Sequence, residues 1–524
     1  MTTDTAVSEP RALDLGILPR LTRHVVHGPN AATCKPIAPF TGQPIAELPQ
    51  STAADVEVAF STARAAQRSW AHRPVNERAR VLGRLHDLVL ARRSEIMDLI
   101  QLESGKKRLD ALEEVIDVAI NARYYARTAG ALLKPQARTG FVPLLTSTKE
   151  YRHPKGVVGV IVPWNYPFTL GMSDSLPALV AGNAVVLKPD LSSSFCALLG
   201  KELLVEAGFP EGLVQVVTGE GPVIGTEVID RADYVMFTGS TKTGREVAAR
   251  AAARLVGASL ELGGKNAMLV LADAPLRRSV KGTVRAAFSN AGQLCESMER
   301  LYVADEIYDE YVSHLLRAVD GMRMTTDFAL TADMGSLASE AQLSRVKEHV
   351  DDAVAHGARV LAGGRHRPDI GPFFFEPTVL ENVDPKMKVC EEETFGPVVS
   401  LYRFTDVEDA IARANDTQFG LNAAVFTGDT ARGREIAQRL RAGTVNINEG
   451  YGAVWGSIDA PLGGMGASGI GRRHGAEGLL KYTEAQSVAT QRLVDFSPPS
   501  WLGQRGFAQA MVVGLRILDR TGRR

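Results

Sequence analysis

The hexapeptide Asn290-Ala291-Gly292-Gln293-Leu294-Cys295 ends a run of mostly small residues on a cysteine. A thiolate nucleophile needs an open approach and a lowered pKa, and small neighbours provide the approach. Most cysteines are inert packing residues, and Cys34, Cys196 and Cys390 are read that way, Cys196 because its surroundings are apolar and helical. Upstream, Glu261 stands between Leu260 and Leu262, ahead of Gly263 and Gly264. A carboxyl in apolar surroundings titrates high and suits general-base work; pairing with a cation is the alternative. In Pro163-Trp164-Asn165-Tyr166-Pro167 two prolines stiffen the turn around Asn165. Its amide can donate to a developing oxyanion, or Asn165 can cap the next helix. Lys188, with Pro189, Asp190 and Leu191 after it, closes an apolar run. A contact to a cofactor hydroxyl or phosphate competes there with a simple snorkelling lysine. The stretch 237–244 carries Gly239, Ser240 and Gly244 where a strand would turn into a helix. Glycines permit close backbone approach and helix N–H groups favour an anion, but the spacing is not GxGxxG.

These residues need a frame. The spacing of Val56, Phe60, Ala63 and Trp70 predicts one helix, and Leu82, Leu85, Val89, Ile96, Leu99 and Ile100 predict a longer one over 81–100. A third helix is predicted over 111–126. The apolar runs 157–162, 184–188, 213–217, 234–238 and 267–271 have strand length, with helical segments at 194–208 and 242–253 between them. Uninterrupted apolar strands alternating with helices predict a parallel sheet covered on both faces, which binds ligands at its carboxyl edge. A second α/β alternation follows, with helices near 305–322, 340–356 and 406–415 and strands within 373–380, 398–404 and 423–427.

Composition narrows the function. A length of 524 residues implies two or three domains, and 45% apolar with 23% charged residues is ordinary for a globular chain. The balance of 59 basic against 60 acidic residues gives no electrostatic reason to expect nucleic acid. Neither a secretory signal nor a run of roughly 18 apolar residues occurs, and four scattered cysteines suit a reducing compartment. A soluble, cytoplasmic protein without a metal site is expected. The last segment, 501–524, places Phe507, Met511, Val512, Leu515 and Leu518 among arginines. It reads as an amphipathic helix docked on its own subunit or a neighbour, with an interfacial membrane helix as the alternative.

Taken together, and with Glu392–Pro397, the turn 446–450 and the glycine-rich 461–472, these segments resemble the aldehyde dehydrogenase superfamily over residues 25–490. The branch most similar is that of the actinobacterial succinate-semialdehyde dehydrogenases using NADP+. The resemblance implies an α/β fold with a Rossmann-like NAD(P)-binding domain (20–132 and 152–263), a second α/β catalytic domain (264–460) and a small oligomerisation flap (133–151 and 478–495). It implies a homodimer or homotetramer and a tail over 496–524. It implies Cys295 as nucleophile, Glu261 as base for thioester hydrolysis and Asn165 as oxyanion donor. Trp164, Asn165, Lys188, Pro189, Asp190, Leu191, Gly239, Ser240, Leu262, Glu393 and Phe395 are implied to contact the cofactor. NAD-preferring relatives often place a glutamate where this chain has Leu191, so NADP is favoured and NAD acceptable. Arginines that hold a succinyl carboxylate in well-studied relatives correspond to Ser173 and Ser289, which leaves uncharged aliphatic or aromatic aldehydes as the alternative substrates. Acyl transfer to coenzyme A and a catalytically silent binding protein are the rivals; the presence of both Glu261 and Cys295 argues against each.

Overall fold

The computed structural model describes residues 15–141, 146–492 and 497–520. Five parallel strands, β1 (Val157–Ile161), β2 (Ala184–Lys188), β3 (Val214–Val216), β4 (Tyr234–Thr238) and β5 (Gly257–Glu261), lie in the order β3-β2-β1-β4-β5. The two-residue strand Gly469–Ile470 adds an antiparallel edge beside β5. β1, β2, β3 and β4 are buried along their whole length, as expected where helices cover both faces. The order reverses between β1 and β4, so connections leave to opposite faces there and open a crevice at the strands' carboxyl ends. Trp164 and Asn165 follow β1 into that crevice, and Gly239 follows β4.

A second sheet holds β6 (Asn266–Val270), β7 (Met298–Ala304), β8 (Arg359–Ala362), β9 (Thr378–Glu381), β10 (Val398–Phe404), β11 (Asn422–Phe426) and β12 (Thr444–Ile447). Its order is β8-β9-β10-β7-β6-β11-β12, with only the β8–β9 pair antiparallel. β5 and β6 are separated by the four residues 262–265, so the two sheets meet at that short crossing. The predicted α/β class, with two successive parallel sheets, is therefore what forms.

The predicted helix over 81–100 is two helices, Val75–Ala91 and Arg93–Ser104. The break falls at Arg92, whose guanidinium reaches Glu95 (2.7 Å), Glu202 (2.9 Å) and Glu206 (2.6 Å). Two of those partners lie more than a hundred residues away, so nothing local signalled the bend. The third helix is longer than predicted, Arg108–Leu132. The strand predicted within 373–380 is confined to Thr378–Glu381.

The strand Thr146–Pro154 pairs with Gln136–Arg138 and with the largely exposed Thr483–Gln491, forming a ribbon outside both main sheets. Residues 142–145 and 493–496, inside the segments assigned to the flap and the tail, lie outside the described residues. The tail forms the helix Gly503–Arg520, as its spacing predicts, but none of its residues is buried. Trp501 is 81% exposed and Leu515 57%. Phe507, Met511 and Leu518 of the predicted stripe are half-buried, while Val512 and Leu515 are exposed. Among the described residues no helix is long and apolar enough to cross a membrane.

Candidate active site

The loop that presents Cys295 has a demanding backbone. Asn290, Ala291 and Gly292 take positive φ in succession (49°, 53° and 71°). For Asn290 and Ala291 this conformation costs on the order of 1 kcal/mol or more each, and it persists only because surrounding bonds enforce it. The Asn290 N–H donates to Asp110 Oδ2 at 2.7 Å, and the Asn290 amide donates to the carbonyls of Asn165 (3.0 Å) and Gln293 (3.1 Å). A Cβ on Gly292 would run into the carbonyl of Gly396, so this loop and the loop holding Phe395 touch backbone to backbone.

The turn holding Asn165 is fixed from beneath by a buried ion pair. Lys106 Nζ donates to Glu114 Oε1 (2.6 Å) and to the Asn165 carbonyl (2.7 Å), with both charged side chains fully buried. Glu114 Oε2 accepts from the N–H groups of Phe168 and Thr169, both at 2.9 Å. The Asn165 amide donates to the Gln293 carbonyl at 3.0 Å. An amide has two N–H bonds, so one remains to serve a ligand.

These elements enclose a cavity of about 260 Å³. Cys295, Glu261 and Asn165 all line it, as do Trp164, Gly239, Ser240, Leu262, Glu393 and Phe395. Nine of the residues singled out from sequence thus converge on one chamber. Lys188, Pro189, Asp190 and Leu191 do not line it. They lie one strand further along the same edge, where Lys188 ends β2 and its carbonyl accepts from the Val162 N–H at 3.1 Å. Lys188 is buried, which lowers its pKa, while Asp190 and Glu220 oppose that shift.

Burial dominates the chamber's electrostatics. It pushes the Glu261 carboxyl up to about 7, against the pull of Arg473, and Oε1 has no hydrogen-bond partner among the described residues. Glu393 is likewise raised to about 7 by burial; its Oε1 accepts from the Gly264 N–H at 2.8 Å. A Cβ on Gly263 would come within 2.6 Å of Glu393 Oε2, so only glycine leaves that carboxylate room. Burial also pushes the Cys295 thiol up, and the neighbouring carboxylate Glu296 adds to the effect. Phe395, held at φ 57°, packs edge-on against Trp164 at 5.6 Å.

Several chamber residues escaped the sequence reading. Glu296 is raised by burial to about 8, and its Oε2 is unpartnered among the described residues. Arg473, Arg345, Glu113, Tyr166, Tyr451 and Trp455 also line the wall. Adjacency to Cys295 could have flagged Glu296, and adjacency to the glycine-rich 461–472 could have flagged Arg473. The others come from elements with no chemical signature of their own. Ser173 and Ser289 sit behind the wall: Ser173 donates to Asp117, and Ser289 Oγ lies 3.1 Å from the Tyr451 hydroxyl.

Residues 26–488 match the model of the aldehyde dehydrogenase family. The chain belongs to that family. This aldehyde dehydrogenase is 54% identical over 486 residues to a Mycobacterium tuberculosis protein, covering 93% of this chain and 94% of that one. That relative carries the provisional name succinate-semialdehyde dehydrogenase NADP(+) 2. A Mycolicibacterium smegmatis protein with a similar provisional name is 51% identical over 512 residues, 98% of this chain and 99% of its own. Among solved structures, Staphylococcus aureus betaine aldehyde dehydrogenase in complex with NAD+ superposes with a TM-score of 0.87 at 30% identity, covering 93% of this chain and all of that one. The two-sheet architecture is the aldehyde dehydrogenase fold, and the chain is an oxidoreductase acting on aldehydes.

Proposed function

We propose that the protein oxidises an aldehyde to its carboxylic acid with NADP+, through a thioester on Cys295 that water, activated by Glu261, hydrolyses. The observation that carries this reading is that the Cys295 thiol, the Glu261 carboxylate, whose Oε1 is unpartnered among the described residues, and the Asn165 amide line a single chamber at the sheet's switch point. Cys295 gives up its thiol proton to solvent, and the Sγ thiolate attacks the carbonyl carbon. Negative charge then develops on the oxygen, where the free N–H of the Asn165 amide and the backbone N–H of Cys295 stabilise it. NADP+, when bound, would supply the hydride acceptor that turns the adduct on Sγ into an acyl thioester. Glu261 takes a proton from water as its oxygen adds to the acyl carbon, and Sγ leaves as the thiolate. A carboxyl held near 7 can both accept and release that proton at neutral pH.

The chamber fits the cofactor. Gly239 and Ser240 begin the helix Thr241–Ala253, whose first N–H groups offer an anion site, and Gly263 keeps space beside Glu393 for a ribose. The first sheet, with residues 20–132 and 152–263, is inferred to carry the cofactor; residues 264–460 are inferred to carry the nucleophile. Leu191 in place of an acidic residue removes repulsion against a 2′-phosphate, and Lys188 can pair with it.

The relatives' names favour succinate semialdehyde as substrate. Uncharged aldehydes are a second reading, favoured by a specific observation. Trp164, Tyr166, Leu170, Tyr451 and Trp455 make the wall largely apolar, and both its arginines are engaged: Arg473 with Asp174, and Arg345 with the carbonyl of Glu393. A homodimer or homotetramer formed through the outer ribbon, residing in the cytoplasm, completes the proposal. Its support is the exposed strand Thr483–Gln491 and the four unpaired cysteines.

The test is NADPH formation over a panel containing succinic semialdehyde, hexanal and benzaldehyde, with and without coenzyme A. Turnover without coenzyme A is expected, together with its complete loss in Cys295→Ala while NADP+ still binds. An absolute requirement for coenzyme A, or oxidation surviving in Cys295→Ala, would overturn the mechanism.

A further inference from the structure

The chamber holds Glu113, Glu261, Glu296 and Glu393 against only two cations, and one of those, Arg345, sits at the Glu393 end. The other is Arg473, whose backbone is set by strand pairing and whose guanidinium is anchored by side chains. Strand Gly469–Ile470 pairs with β5, setting Gly469 opposite Glu261, and the chain then returns so that Arg473 and Leu462 exchange N–H···O bonds of 2.6 and 2.9 Å. Arg473 Nη2 donates to Asp174 Oδ2 and to Thr238 Oγ1, each at 2.6 Å. Its Nε is buried without a partner among the described residues.

The guanidinium forms part of two walls. On one side is the chamber with Cys295 and Glu261; on the other is a small cavity of about 30 Å³ whose lining includes Asp117, Asp174, His474 and Lys481. Those groups, with Arg472, Glu296, Glu393 and the hydroxyls of Tyr125 and Tyr482, are the charged and titratable neighbours of Arg473, Glu261 and Cys295. A nucleophile and a base that must both become anionic cannot work in a carboxylate-rich enclosure without a nearby positive charge. Asp174 both anchors that charge and partly neutralises it.

We propose that Arg473 is a positioning residue whose charge, poised by its fixed counter-ion Asp174, governs the ionisation of Cys295 and Glu261. This rests on the roles given to those two residues above, but its main test needs no aldehyde. Iodoacetamide alkylation of Cys295, followed by mass spectrometry across pH 6–10, reads the thiolate directly. Arg473→Gln removes the cation, so the alkylation profile should move to higher pH by about one unit, a roughly tenfold lower rate on its rising limb. Asp174→Asn leaves the cation uncompensated, so the profile should move to lower pH. Arg473→Lys should restore most of the wild-type profile.

A residue needed only for packing would shift neither profile or would impair both variants alike. Displacements in the same direction, or none, therefore overturn the proposal. If Arg473→Gln fails to fold, Asp174→Asn decides alone: a downward shift supports the proposal and any other result defeats it. If the wild-type protein alkylates normally but oxidises no aldehyde, the catalytic reading fails separately.

Discussion

Replacing Glu261 with glutamine should make the protein more stable and far less active at once. Burial holds this carboxyl at about 7, against the 4.5 of a solvated glutamate. The folded state therefore binds the proton more tightly than the unfolded chain does, and above pH 7 an ionised Glu261 costs folding about 3 kcal/mol. That penalty is absent below pH 4.5, grows between 4.5 and 7, and is full beyond. Glu261→Gln removes it, and also relieves the repulsion by which Glu261 helps to hold Glu296 up, which acts in the same direction; Glu393 is common to both proteins and cancels. The stability difference between variant and wild type, from denaturant melts at pH 5 and pH 8, should widen by about 2–3 kcal/mol in the variant's favour. Over the same change, rapid-mixing absorbance should show one equivalent of NADPH per active site, followed by turnover slowed about 10²–10⁴-fold as the thioester waits for an unassisted water. Wild-type steady-state turnover in the variant at pH 7.5 would refute the base assignment. A stability difference independent of pH would refute the burial argument.

Three further outcomes follow from the same geometry. Lys188→Ala should raise the Kd for NADP+ by roughly tenfold or more and that for NAD+ much less; equal losses in fluorescence titrations would exclude a 2′-phosphate contact. Lys106→Met strips the buried partner from Glu114 and should cost about 3–5 kcal/mol in chemical denaturation, with kcat falling because the Asn165 turn loses its support. With wild-type enzyme, the hydrolytic rate should rise with pH through about 7 as Glu261 ionises; a rate already maximal at pH 5.5 would contradict that.

What could be read from sequence depended on whether the cause was local. Runs such as 157–161 and 234–238 announce buried parallel strands because every side chain in them must be apolar, and they form where predicted. Arg92 carries no such mark. It is an adequate helix former, and it ends a helix because Glu202 and Glu206 wait for it across the fold. The same division applies to the site. Cys295, Glu261 and Asn165 sit in segments whose glycines and prolines already suggest a constrained backbone. Arg473 and Glu113 act through neighbours hundreds of residues distant, and Asp110, which holds the Asn290 N–H, lies in the first turn of the helix Arg108–Leu132, where an acidic residue is ordinary.

Those distant supports explain why the loop carrying Cys295 can exist at all. Two non-glycine residues in succession at positive φ would relax in an isolated peptide. Here Asp110 binds the loop from one side, Asn165 from a second, and the backbone at Gly396 closes a third. Lys106 then ties Asn165 to Glu114, so the amide donor and the thiol are held by one continuous set of bonds. Glu261 Oε1 and Arg473 Nε can stay without hydrogen-bond partners among the described residues because this framework is over-determined elsewhere. An unsatisfied carboxyl is tolerable only where the surrounding structure cannot collapse onto it, and that rigidity keeps space open for water beside the sulfur.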